Sequence, residues 1–383
     1  MKIYNAEIFT MEDTHFSNGF VEFENGVITA VGDMTDCPEI ADTDVDAKGM
    51  RVYPGFIDAH THLGMWEDGL GFEGDDGNED TDPSTPHLRA IDAINPDDFC
   101  FEEALKGGVT TVLTGPGSAN PIGGQIAAVK TMGCRIDNML VDKCCGVKFA
   151  LGENPKSVYH GKNQTPVTRM ATAAIIREQL NKAKRYMQDL DNAENSEDED
   201  KPEYDIKCEA LLPVVKGEKY AFFHAHRVDD IFTAARIAQE FYLKYIIIHG
   251  TLGYKAVKEL KQLDVGVLCG PTICDRSKPE LKGLTPECAG ILSNAGIETA
   301  IITDHPVIPI QYLPLCAAVC VRDGMDYDTA LKAITITPAK ICGIDNKVGS
   351  IKVGKDADFV LYNGDPLNVM NKPQMVFCGG KRA

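Results

Sequence analysis

The sequence predicts an α/β protein: a (β/α)8 TIM barrel with a small β-sandwich-like domain formed by both chain ends. Three observations carry that reading. From Tyr53 to Asp304, short apolar segments alternate with helical stretches, as parallel α/β units require. Residues 1 to 50 instead alternate apolar and polar in short pieces broken by turn residues, and strand character returns beyond 345. The chain has 383 residues, which a barrel of about 250 residues plus a smaller module accounts for. The expected division is 1–52 and 345–383 for the small domain, and 53–344 for the barrel.

Taken in order, NAEIFTMED, GFVEFENGVITAVG and TDVDAKGMRVYPG supply the first strands, with Asn25-Gly26 as a hairpin turn between two of them. The candidate barrel strands follow: GFIDAH, TTVLTG, QIAAVK, VKFALG, YAFFHAH, YIIIHG, VGVLCG and TAIITD, eight in all. Helices are expected at 97–107, 165–188, 228–242, 254–263 and 286–296; in the third, Ile231, Ala234, Ala235, Ile237, Ala238 and Phe241 share one face at helical spacing. Asp326 to Cys342 reads as one more helix, with Ala330, Leu331, Ile334 and Ile341 on its buried side. The tail segments VGSIKVGKDADFVLYNGDPL and MVFCGGKRA hold too few strands to stand alone, so they are expected to pair with the N-terminal module.

Composition narrows the function classes. The formal charge is −19, but 67–82 carry eight acids and no base while 189–205 carry nine acids and Lys201, so these two loops hold −16 of it. The remainder is near neutral, which disfavours nucleic-acid binding. The second acidic stretch is low in apolar residues and is expected to be mobile. Thirteen cysteines, scattered and without a CxxC pair, suggest neither a disulfide framework nor a zinc ribbon. No run reaches the roughly 18 apolar residues of a membrane span. MKIYNAEIFTMED lacks the order of a secretory signal, so a cytoplasmic protein acting on a small molecule is expected.

The chemistry gathers at strand ends. His60 and His62 close the first barrel strand, and residues i and i+2 of a strand face one way, as two ligands of one ion must. Glu153 lies just beyond the fourth strand, His224 and His226 end the fifth, His249 the sixth, and Asp304 the eighth. In a TIM barrel these ends share one rim, so a metal site there is expected. His305 points away from Asp304 on an extended strand. GPGSANPIGG after the second strand offers turns or backbone donors, and Arg227, Arg276 or Lys278 offers a site for a substrate carboxylate. The loop Glu67–Asp82 with Trp66 is long enough to form part of a lid.

PGFIDAHTHLG, the terminal HAH and IIHG, TDHP, and the tail GSIKVGKDADFVLYNGDP together resemble the metal-dependent amidohydrolase superfamily, in its imidazolonepropionase-like branch. The resemblance covers essentially the whole chain. It implies hydrolysis of a carbon–nitrogen bond, in a cyclic amide or dipeptide-like molecule, by a homo-oligomer holding one or two divalent ions: zinc first, with iron or manganese as alternatives. Carried over by residue, His60, His62, His224, His249 and Asp304 are the implied ligands. Asp304 would carry the proton, His249 would help polarise the carbonyl, and His226 would orient substrate or a ligand. Many members place a carboxylated lysine on the fourth strand. In GVKFALGENPK, Lys148 lies early in that strand, so Glu153 is the preferred bridging ligand and carboxylated Lys148 the alternative. Rival readings are a deaminase of an amino-heterocycle and a non-catalytic scaffold. Deaminases of the superfamily generally carry a glutamate shortly after the fifth-strand histidine, where HAHRVDD offers only Asp229 and Asp230.

Overall fold

The computed structural model describes residues 1–69, 71–196 and 200–383. Two eight-stranded sheets account for the strands. The larger one runs, in chain order, through Phe56–Thr61, Val109–Thr114, Ile122–Lys130, Leu140–Ala150, Tyr220–Ala225, Tyr245–His249, Gly266–Cys269 and Thr299–Ile301. All eight expected barrel strands are present. Six of them are buried throughout or at all but the first residue, because helices cover one face and packed side chains fill the other.

One strand departs from the expected parallel order. Ile122–Lys130 runs antiparallel to both neighbours. Its connections, 115–121 and 131–139, are shorter than the dozen or so residues that a parallel crossover needs, so the chain turns back instead. A segment of the long excursion after the first strand lies along this reversed strand: Thr85 N–H donates to Ile122 O at 2.9 Å and Gln125 N–H to Leu88 O at 2.8 Å.

Among the described residues no ladder joins the first strand to the eighth. That seam is held by a side chain. The Asp58 carboxylate accepts from Thr303 N–H at 3.0 Å, from the Thr303 hydroxyl at 2.6 Å and from His60 N–H at 3.2 Å. Burial pushes its pKa up to about 7 against those three donors. His62 N–H also donates across the seam, to His305 O at 2.9 Å.

The second sheet unites the chain ends. Phe359–Tyr362 pairs antiparallel with Arg51–Pro54, which pairs with Lys2–Phe9, and the hairpin His15–Glu24 and Val27–Asp33 follows outward. Asn25 and Gly26 form its two-residue turn with φ of 50° and 81°, the left-handed pair that matches strand twist. Ile3, Ile8, Phe23, Val52, Phe359 and Phe377 belong to a core of its own.

The helices follow the predicted pattern with four departures. The expected 165–188 helix begins at Arg169, where the Thr168 side chain accepts from Ala171 N–H, and continues to Asn195, so the first part of the acidic stretch is helical. The mobility expected around 197–199 lies outside the described residues, as does Leu70 in the other acidic loop. The segment 254–263 is a 3-10 turn, Gly253–Ala256, followed by Val257–Lys261. Asp326–Cys342 is two helices, Tyr327–Lys332 and Ile336–Ile341, because Pro338 has no N–H to return to Ile334. Glu153–Gly161, Ile206–Val215 and Leu313–Arg322 are additional helices whose prolines, Pro155, Pro213 and Pro314, disguise them in the sequence. No described helix is long and apolar enough to cross a membrane.

Candidate active site

Two groups of three side chains face a cavity of about 650 Å³ at the strand ends. The first is His60, His62 and Asp304. His60 Nε2 stands 3.2 Å and His62 Nε2 3.6 Å from Asp304 Oδ1. His62 Nδ1 donates to Gly115 O at 2.7 Å, which fixes the proton on Nδ1 and leaves the Nε2 lone pair facing the carboxylate. Two acceptors aimed at each other need a cation or a proton between them. Burial would raise the Asp304 carboxyl, but the His249, His60 and His62 imidazoles around it hold it well below the usual carboxylate range.

The second group is His224, His226 and His249, all buried. The His249 ring centroid is 4.6 Å from that of His224 and 4.3 Å from that of His226. Each ring is oriented through Nδ1: His224 against Ser118 Oγ at 2.9 Å, His226 against Thr251 Oγ1 at 2.7 Å, and His249 against Gly270 O at 2.7 Å. The Nε2 atoms of His224 and His226 are buried without a hydrogen-bond partner. Burial, with the neighbouring imidazoles, holds His224 and His226 well below the ordinary histidine pKa, and burial pushes His249 down to about 4 against the pull of Asp304. All three are therefore neutral near pH 7, the form that ligates metals. His249 and Asp304 take left-handed backbone conformations, with φ of 73° and 56°, so strain is held where the two groups meet.

Lys148 reaches this place and Glu153 does not. The Lys148 ammonium nitrogen lies 3.4 Å from His60 Nε2, fully buried, and its charge is felt at His224, His226, His249 and Asp304. Burial pushes its pKa down to about 7. Glu153, expected as the bridging carboxylate, belongs to neither group. Gly152, at φ 88°, turns the chain into the helix that Glu153 begins, and the Glu153 backbone N–H donates to Glu280 Oε2 at 3.0 Å.

Other expectations sort as follows. His226 lies level with His224 inside the second group. His305 is buried outside both; its Nδ1 accepts from Ile310 N–H at 3.2 Å, and burial lowers its pKa to about 4. Arg227 is committed to Asp229 and Arg276 to Leu284 O; of the three only Lys278 lines the cavity, held there by Glu280 and Asn154. The glycine-rich loop orients His62 through Gly115 O and His224 through Ser118 Oγ. Trp66 lines the cavity mouth with its ring 4.3 Å from that of His62, and Gly77 lies where any Cβ would be 2.2 Å from the indole.

Sequence reasoning missed Glu280. It sits in the turn Pro279–Leu281 after the seventh strand, in a stretch that reads as a charged loop, yet it is 3% exposed. Its Oε1 is 3.7 Å from His226 Nε2, 3.9 Å from His224 Nε2 and 2.9 Å from the Lys278 ammonium. Ser118, Thr251 and Thr303 were also missed, since a hydroxyl carries no signal until its partner is located.

The donor set fits a divalent metal. Neutral imidazoles present Nε2 atoms, an ionised aspartate faces them, and carbonyl or hydroxyl groups hold Nδ1 of His62, His224, His226 and His249 as supports of metal-binding histidines do.

Comparisons with known proteins agree with this chemistry. A profile described as the amidohydrolase family matches residues 227–383. The chain is similar to an amidohydrolase solved from Thermotoga maritima MSB8, with 42% identity and a TM-score of 0.95 over 100% of this chain and 99% of that one. Amidohydrolase tasK of Hapsidospora irregularis is 31% identical over 389 residues; the match takes in 94% of this chain, which spans 39% of that relative's length. A 5'-deoxyadenosine deaminase of Methanosarcina barkeri is 42% identical over 65 residues, 16% of this chain and 15% of that protein.

Proposed function

The chain belongs to the amidohydrolase family, and on that premise we propose that it is a metal-dependent hydrolase of a carbon–nitrogen bond in a cyclic amide or dipeptide-like small molecule. The observation that carries this reading is the pair of buried groups, His60–His62–Asp304 and His224–His226–His249, with the Lys148 nitrogen beside both.

In this reading His60, His62 and Asp304 hold one ion, zinc by proposal, and the group of His224, His226 and His249 holds a second. Bound there, a divalent ion supplies Lewis acidity, acidifying water and polarising a carbonyl. Lys148 replaces Glu153 as the bridge. With a pKa near 7 much of its amine is uncharged at neutral pH. The nitrogen adds to carbon dioxide and loses one proton, giving a carbamate with an oxygen for each group. Asp304, kept ionised by its neighbours, accepts the proton of the attacking water and returns it to the departing nitrogen. Trp66 at the cavity mouth limits access of bulk water.

Elemental analysis of protein purified without chelator is expected to find one to two divalent ions per chain. Finding none, and no uptake on addition, removes the reading. A second reading, deamination of an amino-heterocycle, draws on Glu280, whose carboxylate stands beside the fifth-strand histidines where HAHRVDD offers no glutamate. The partial similarity to a 5'-deoxyadenosine deaminase supports the same reading. Ammonia release across a panel of amino-heterocycles and cyclic amides separates the two.

A further inference from the structure

We propose that the Glu280 carboxylate is a ligand of the second ion, reaching it from the turn after the seventh strand together with His224 and His226. This rests on the metal-dependent reading above.

Three buried atoms without an aligned hydrogen bond converge here: His224 Nε2, His226 Nε2 and Glu280 Oε1. The oxygen is 3.9 and 3.7 Å from the two nitrogens. Ligand atoms about 2.0–2.2 Å from a tetrahedral ion stand roughly 3.3 Å from one another, so a shift of about half an ångström brings these three into a shared shell. Both imidazoles are already braced at Nδ1, by Ser118 and Thr251, and have only Nε2 to offer. The carboxylate is braced as well: Oε2 accepts from Glu153 N–H, and Gly152 leaves room for it, since a Cβ at that position would lie 2.8 Å from Oε2.

Charge points the same way. The first group contains Asp304, whereas the second is three neutral imidazoles. A dication is buried favourably only with anions around it; a Lys148 carbamate would bring this group one shared oxygen, and Glu280 is the carboxylate already standing against its imidazoles. Lys278 occupies the carboxylate in the meantime, its ammonium 2.9 Å from Oε1 and 2.8 Å from Asn154 Oδ1. The Lys278 side chain is 25% exposed and borders the cavity, while that of Glu280 is 1% exposed. Of the two partners, only the lysine has somewhere to go when an ion takes its place. A Glu280 that ligates the ion is also withdrawn from proton transfer, which bears against the deaminase reading.

The test is a crystal structure of the wild-type protein loaded with Zn²⁺, with ions located by anomalous scattering. A Glu280 oxygen within about 2.2 Å of an ion shared with His224 and His226 is expected. A separation above about 3 Å, or an ion only at His60, His62 and Asp304, overturns the proposal while leaving the metal-dependent reading standing. Failure to bind any Zn²⁺ overturns both. In solution, Co²⁺ titration of Glu280→Gln is expected to keep the first binding event and weaken the second about ten-fold or more. Two events with wild-type affinities also overturn it.

Discussion

The two halves of the site solve one problem in different ways. His60, His62 and Asp304 come from the first and eighth strands, carry their own anion, and sit over the seam that Asp58 closes. His224, His226 and His249 come from the fifth and sixth strands, carry no anion, and lie against a carboxylate brought in by a loop. A half built on strand ends is fixed by strand geometry. A half completed by a loop depends on what that loop buries.

That contrast can be broken most severely at Asp304. Asp304→Asn is expected to lower turnover by on the order of 10²–10⁴-fold while most metal stays bound, because the amide keeps an oxygen but cannot carry the proton. Unchanged turnover eliminates Asp304 as proton carrier. Lys148→Met severs the link between the halves. We expect a loss of about 100-fold in activity and of one ion per chain, measured by elemental analysis, with metal-free stability unchanged or raised because a buried amine is gone. Retention of both ions shows that the halves fill independently. Thr251→Ala touches only the second half, by freeing His226 Nδ1; about a ten-fold drop in affinity for one ion is expected, and an equal drop for both contradicts the division.

Asp58→Asn touches only the first half and is read in stability. Loss of the protonated carboxyl that accepts from Thr303 and His60 is expected to destabilise the metal-free protein by about 1–3 kcal/mol at low pH. The pH dependence has a definite sign. The folded carboxyl titrates near 7 and the unfolded one near 3.8, so between those values the unfolded state holds fewer protons and stability from this group falls as pH rises. Denaturant titrations of the metal-free protein across that window should show the fall in wild type and not in the asparagine variant. Parallel curves refute a protonated Asp58.

The same contrast explains what the sequence could reveal. The eight strands and the discontinuous sheet were legible because apolar runs and alternation follow directly from burial on two faces or one. His60, His62, His224, His249 and Asp304 were legible because strand ends share a rim. Lys148 was misplaced by counting backbone alone: it precedes Ala150 by two residues, and a lysine stem is long enough to span that rise of about 6.6 Å. Glu153 was favoured on sequence proximity to the rim, which ignores the left-handed Gly152 that ends the strand direction. Glu280 was invisible because nothing in RSKPELKG distinguishes a buried acid from a solvated one. The reversed third strand was hidden too, since an apolar run has no arrow.

That reversal has its own consequence. Neither half draws a ligand from the third strand, and the segment around Thr85 and Leu88 lies along it. This side of the barrel is thus covered by chain that carries none of the six clustered side chains. Insertions or exchanges between 67 and 98 would remodel that flank without moving the strands that carry His60, His62, His224, His226 and His249. The strands that carry the clustered side chains and the flank beside the third strand can therefore vary separately.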